Sequence, residues 1–149
     1  MTAVLRFLFV VPLGFVAGCL AAAFALLWPF LDLPPGWWGD PLLAIELFLG
    51  LLAQAGQIGA AALIPWAIFM AVTEILRLSS LILHMAAGLI AGLALARLWY
   101  GDAVPLAIQT AMIVGGLAFF MVYWGVAGRR AGHWRRRAPA GIATGENST

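Results

Sequence analysis

Among the polar residues set inside otherwise apolar stretches, Glu46, Gln57 and His84 are the ones whose types could do chemistry. An ionisable side chain within a membrane segment is costly, so a proton or ion relay is the first reading of a carboxylate there. At 100° per residue Glu46 and Gln57 fall about 20° apart on a helix, on one face with Gly50 and Ala53, while Gln54 lies about 80° away. Each also has a plainer role. Glu46 stands five residues after Pro41, close enough to a helix N-terminus for the macrodipole to favour its charge. A glutamine can simply hydrogen-bond a neighbouring helix. His84 can ligate haem, carry a proton or bond a neighbouring backbone. The only other histidine, His133, lies in an arginine-rich tail, so haem held within one chain is not expected. An electron-transfer anchor sharing a haem with another chain through His84 is a third reading.

Glu74 and Arg77, followed by Ser79 and Ser80, form the other polar cluster. Three residues apart, they can pair if helical geometry continues between them, either as a gate or as a neutralised junction between two spans. No CxxC, HExxH, GxSxG, Gly-rich phosphate loop or carboxylate-rich metal spacing occurs, so no enzyme, cofactor or metal centre is expected. Cys19 is the single cysteine, which excludes internal disulfides and Cys-based metal clusters.

The elements that position these residues follow from composition. Only 9% of the 149 residues are charged, 64% are hydrophobic and the mean hydropathy is +1.03, whereas soluble domains carry about 25% charged residues. The chain is expected to be one membrane-embedded domain. Its charges bracket four uncharged runs, 7–31, 47–73, 78–96 and 103–128, of 25, 27, 19 and 26 residues, and a span needs about 20. The expected fold is therefore all-α, four transmembrane helices in an antiparallel bundle at about 4–31, 41–73, 78–99 and 104–127. Residues 1–128 form the membrane domain, and 129–149 a basic and then disordered cytoplasmic tail. Asp40 and Pro41 resemble an N-cap followed by the first helical position. Pro65 is the expected kink of the long second helix.

Two aromatic turns, around Trp37-Trp38 and Trp99-Tyr100, belong at headgroup level on one side. Arg6, Arg77, Arg129, Arg130, Arg135, Arg136 and Arg137 fall on the other, against Arg97 alone on the aromatic side. The positive-inside rule then puts both termini in the cytoplasm. The net charge of +2 reflects that orientation, and no nucleic-acid partner is expected. The arginine-rich tail would attract anionic lipid headgroups.

Val16-Ala17-Gly18-Cys19 resembles the lipobox of a lipoprotein signal peptide. The apolar run continues through Trp28, so Cys19 is expected to stay unprocessed inside the first helix. Gly14 and Gly18 followed by Ala22, and Gly88 and Gly92 with Ala87, Ala91 and Ala94 nearby, form small-residue faces suited to close helix approach. Gly50, Ala53, Gly56 and Ala60 add a third such group on the second helix. Packing inside the bundle is the expected use of all three.

The run Thr73-Glu74-Ile75-Leu76-Arg77-Leu78-Ser79-Ser80-Leu81, leading into Ala86-Ala87-Gly88-Leu89-Ile90-Ala91, resembles a segment of uncharacterised small four-helix bacterial inner-membrane proteins. That resemblance covers about a quarter of the chain and transfers no activity. It implies a multi-pass protein of a bacterial inner membrane. The function expected is non-enzymatic, an accessory or scaffold subunit acting through helix packing, with the lipid bilayer and a membrane-protein partner or second copy as its partners. The alternative is a small oligomeric transporter or channel using Glu46, Gln57 and His84.

Overall fold

A backbone that crosses hydrocarbon must satisfy its own N–H and C=O groups, and the uncharged runs do so as helices. The computed structural model describes residues 6–76 and 78–130. Four helices account for most of them: α1 (Val11–Leu27), α2 (Pro41–Leu76), α3 (Leu81–Tyr100) and α4 (Leu106–Val126). No strand occurs among the described residues. A π-helical turn at Arg6–Val10 precedes α1 and a 3-10 turn at Trp28–Phe30 extends it, giving a span of 23 residues, Leu8–Phe30. All four helices are long and apolar enough to cross a membrane, and the chain is a multi-pass membrane protein. Large apolar residues such as Ile64, Ile82, Leu98 and Leu106 stand exposed around the bundle, as a surface that meets lipid tails requires. Arg77 and the tail beyond Arg130, with His133 and Arg135, Arg136 and Arg137, lie outside the described residues, and so does the expected disordered segment.

Helix ends follow local chemistry. Asp40 caps α2, its Oδ1 accepting the N–H groups of Leu42 and Leu43 at 3.0 and 3.3 Å, and Pro41 follows at the first helical position, where a missing N–H costs nothing. The helix runs without interruption through Pro65 and ends at Leu76, three residues beyond the expected Thr73. Glu74 therefore belongs to its last turn. Proline leaves the Ala61 carbonyl without its usual donor but does not break the helix. With 36 residues, α2 is about 54 Å long at 1.5 Å per residue, well beyond a hydrocarbon core of about 30 Å. At the other junction α3 starts at Leu81 rather than 78, because Ser80 is extended (φ −69°, ψ 129°). It stops where Gly101 takes a φ of +69°, a conformation glycine adopts without the steric penalty of a Cβ.

α4 is the centre of the bundle and packs along both α1 and α3. Glycines let the backbones touch. A Cβ built on Gly88 would lie 2.6 Å from the Gly116 carbonyl oxygen, and one on Gly92 would lie 2.5 Å from that of Met112. On the α1 side, Gly18 faces the Phe119 carbonyl at 3.1 Å and Gly14 faces the Ala127 Cβ at 3.1 Å. These pairings run antiparallel, so the connections 31–40 and 101–105 share one end of the bundle, as the aromatic turns require. At that end Arg97 pairs with Asp102 at 3.2 Å. α2 leans on α1, with Gly59 against the Cys19 sulfur. It barely touches α3, although the two are consecutive in the chain.

The expectation of internal packing fails at all four positions of the small-residue group on α2. Gly50 and Gly56 have nothing within 4 Å of a built Cβ, and Ala53 and Ala60 are exposed. The residues of α2 that meet α1 are Ala55, Gly59 and Trp66 instead. Ala55 and Gly59 lie only one residue from Gly56 and Ala60, but one residue is a rotation of about 100°.

Candidate functional site

The polar residues singled out in the sequence are placed in three separate environments. Glu46 and Gln57 are exposed on α2. At 100° per residue Gly50, Ala53, Gln57, Ala60 and Ile64 all fall within about 40° of Glu46, and all are exposed. Their spacing alternates four and three residues, which is the period of a seam that receives another helix. Sequence reasoning had grouped Glu46, Gly50, Ala53 and Gln57 on one face, but not as a seam open to the outside.

His84 is in the second environment, with an exposure of 0%. Its Nδ1 donates to the Ser80 carbonyl at 2.9 Å, which places the neutral ring's lone pair on Nε2. The ring meets Phe69 edge-on at 5.1 Å and lies nearly parallel to Tyr123 at 6.1 Å. Nε2 has no hydrogen-bond partner among the described residues, and a Cβ on Gly128 would lie 3.0 Å from it. Ligating haem through Nε2 would require displacing that backbone. The third environment is the inner junction. There Glu74 is buried, at 8% exposure, beside Thr73, whose hydroxyl donates to the Met70 carbonyl. Trp124 Nε1 donates to the Ser79 carbonyl at 2.8 Å, and Arg129 sits over the Trp124 ring at 4.9 Å. Whether Glu74 meets Arg77 falls outside the described residues.

An aromatic core missed in the sequence reading separates these environments. Phe15 meets Trp66 at a tilt at 4.4 Å, Trp66 meets Tyr123 at 5.7 Å and Phe69 meets Phe120 at 5.0 Å. It stands between exposed Gln57 and buried His84, so no continuous polar line joins Glu46, Gln57 and His84. Trp66 Nε1 is buried within it and has no hydrogen-bond partner among the described residues.

Above that core, α2 and α3 part. The space between them is a cleft of about 910 Å³, walled by α2 from Gln54 to Phe69 and by α3 from Ala87 to Tyr100, with α4 and the end of α1 as its floor. No charged residue lines it, and Gln54 and Gln57 supply carboxamides on its α2 wall. On α3, Gly88 turns to α4 and Gly92 touches α4 at the edge of the cleft, while Ala87, Ala91 and Ala94 turn to the cleft. Their spacing was visible in the sequence, but not that the alanines face a different surface from Gly88. Compared with known proteins, the chain matches no protein-family model, no curated protein and no solved structure.

Proposed function

We propose that this chain is a non-enzymatic accessory or scaffold subunit of a bacterial inner-membrane assembly, with both termini in the cytoplasm, and that α2 is the helix on which its partner docks. One observation carries the reading, the exposed seam Glu46-Gly50-Ala53-Gln57-Ala60-Ile64. A carboxamide turned outward sixteen residues past the start of a membrane helix, as at Gln57, is costly against lipid alone, and the Glu46 carboxylate lies on the same face nearer the helix start. A second transmembrane helix can hydrogen-bond both, and the intervening small residues let its backbone come close. The arginine distribution supports the orientation. The transporter alternative has less support, because the cleft carries no charge and an aromatic core stands between Gln57 and His84.

The test pairs two measurements. A membrane protein that co-purifies with the wild-type chain in mild detergent should be lost from Gly50→Leu, whose added side chain blocks the seam. Proteoliposomes carrying the wild type should pass neither protons nor cations. Flux that disappears in both Glu46→Gln and His84→Ala would replace the accessory reading with the transporter.

A further inference from the structure

We propose that the cleft between α2 and α3 is a site for one long-chain bilayer lipid, held by its chains rather than by its headgroup charge. The open side of the cleft is the one opposite α4, and no described residue lines it, so the cleft faces hydrocarbon. Its lining on α3 runs from Ala87 to Tyr100, about 20 Å at 1.5 Å per residue. That is the depth of one leaflet's chains, about 15 Å, with part of the interface added. The inner end is closed by Phe69, whose ring packs on His84 and Phe120. Phe30, Trp99 and Tyr100 form the outer rim, with the indole and phenol rings that settle at headgroup level.

Size separates a lipid from a helix. The lining spans only about 20 Å of α3 and reaches no farther in than Phe69, whereas a crossing helix runs the full hydrocarbon thickness of about 30 Å. A cleft of about 910 Å³ that ends at one leaflet's depth suits the acyl chains of a single lipid, which end near the bilayer midplane. Charge does not favour an ionic ligand either. The lining has no charged side chain, and Arg97, near the rim, is already paired with Asp102. The two glutamine carboxamides suit a neutral ester or hydroxyl. The cleft wall of α2 and the docking seam adjoin at Gln57, but Gln54, Ala61 and Pro65 of the wall lie off the seam and Gly50 of the seam lies outside the cleft, so variants at Ala61 and at Gly50 test the lipid site and the partner separately.

The experiment reconstitutes the full chain in dioleoylphosphatidylcholine or dioleoylphosphatidylglycerol, extracts it in mild detergent and weighs it by native mass spectrometry. The expected result is one lipid retained per chain, equally for both headgroups. Ala61→Phe and Ala94→Phe start from exposed positions on opposite walls and fill the cleft without displacing buried atoms, so both should lose the lipid. Gly50→Leu, outside the cleft, should keep it. Circular dichroism should match between the filled variants and the wild type. Wild type without bound lipid, retention by both filled variants, a strong preference for the anionic lipid, or a second protein chain in place of the lipid would each overturn the proposal.

Discussion

Gly92→Ala adds one methyl group at the closest approach of two helices. The new Cβ would lie 2.5 Å from the Met112 carbonyl oxygen, 2.7 Å from the Ile113 Cα and 2.9 Å from the Met112 carbonyl carbon. All three are backbone atoms, so no rotamer change relieves the clash. Carbon–oxygen contacts become comfortable at about 3.3 Å, so α3 and α4 must separate by roughly 0.8 Å there. A gap of 0.5–1 Å forfeits about a quarter to a half of each contact's dispersion well, and overpacking of this kind costs about 1–3 kcal/mol. Alanine's better helix propensity, worth about 1 kcal/mol over glycine, masks part of that cost. Gly56→Ala is the control, because a Cβ there meets nothing within 4 Å and carries the same propensity gain. Reversible unfolding in mixed micelles should find Gly92→Ala less stable than Gly56→Ala by about 1–3 kcal/mol, at least fivefold in the unfolding equilibrium. Equal stability of the two variants would refute the claim that glycine-mediated backbone contact joins α3 to α4.

Two further outcomes follow from buried groups. Trp66 is 8% exposed with an unpartnered Nε1, and such a donor carries a desolvation cost of about 1–3 kcal/mol; Trp66→Phe should therefore unfold at least as late as the wild type, while Trp66→Ala loses about 3–5 kcal/mol to the cavity it leaves. A phenylalanine variant as damaged as the alanine one would show that the indole nitrogen is satisfied. Cys19 is buried on α1 against Gly59, so the intact chain should weigh 15.8 kDa without acyl groups, and its thiol should resist a maleimide until the bundle is unfolded. A product lacking residues 1–18 and carrying acyl chains would instead make it a lipoprotein.

The four spans were legible because charge is so scarce that each run between charges declares its own length. The ends were less legible. α2 gains a turn beyond Thr73, where the Leu78 N–H bonds back to the Thr73 carbonyl at 2.8 Å, and α3 starts late because Ser80 is extended. Which face of each helix meets protein was the harder question. In a soluble helix the polar face marks solvent. Here the lipid-facing and protein-facing sides are both apolar, so Ala87 and Gly88, adjacent in sequence, gave no sign that one lines a cleft and the other touches a backbone. Glu46 and Gln57 could be assigned a common face but not a direction. The depth of His84 was readable, but its packing against Gly128 depends on the chain turning back after α4.

The distribution of glycine contacts explains why α2 carries both the seam and a wall of the cleft. α1, α4 and α3 are joined by approaches tight enough that a single methyl group would part them. Backbone contact of this kind fixes interhelical distance and angle, since lipid tails supply no hydrophobic force to hold helices together. α2 has fewer such approaches. Gly59 meets a sulfur and a phenyl ring at 3.5 and 3.7 Å, which is ordinary contact, and the helix is otherwise held by rings at Trp66 and Phe69. Its outer half therefore keeps one long side uncovered by its own chain. Closing α2 onto α3 with more glycine would have eliminated the cleft. Leaving Glu46 and Gln57 outward keeps polar groups out of the packed interior, so the least embedded helix is also the one that carries the exposed carboxylate and carboxamide.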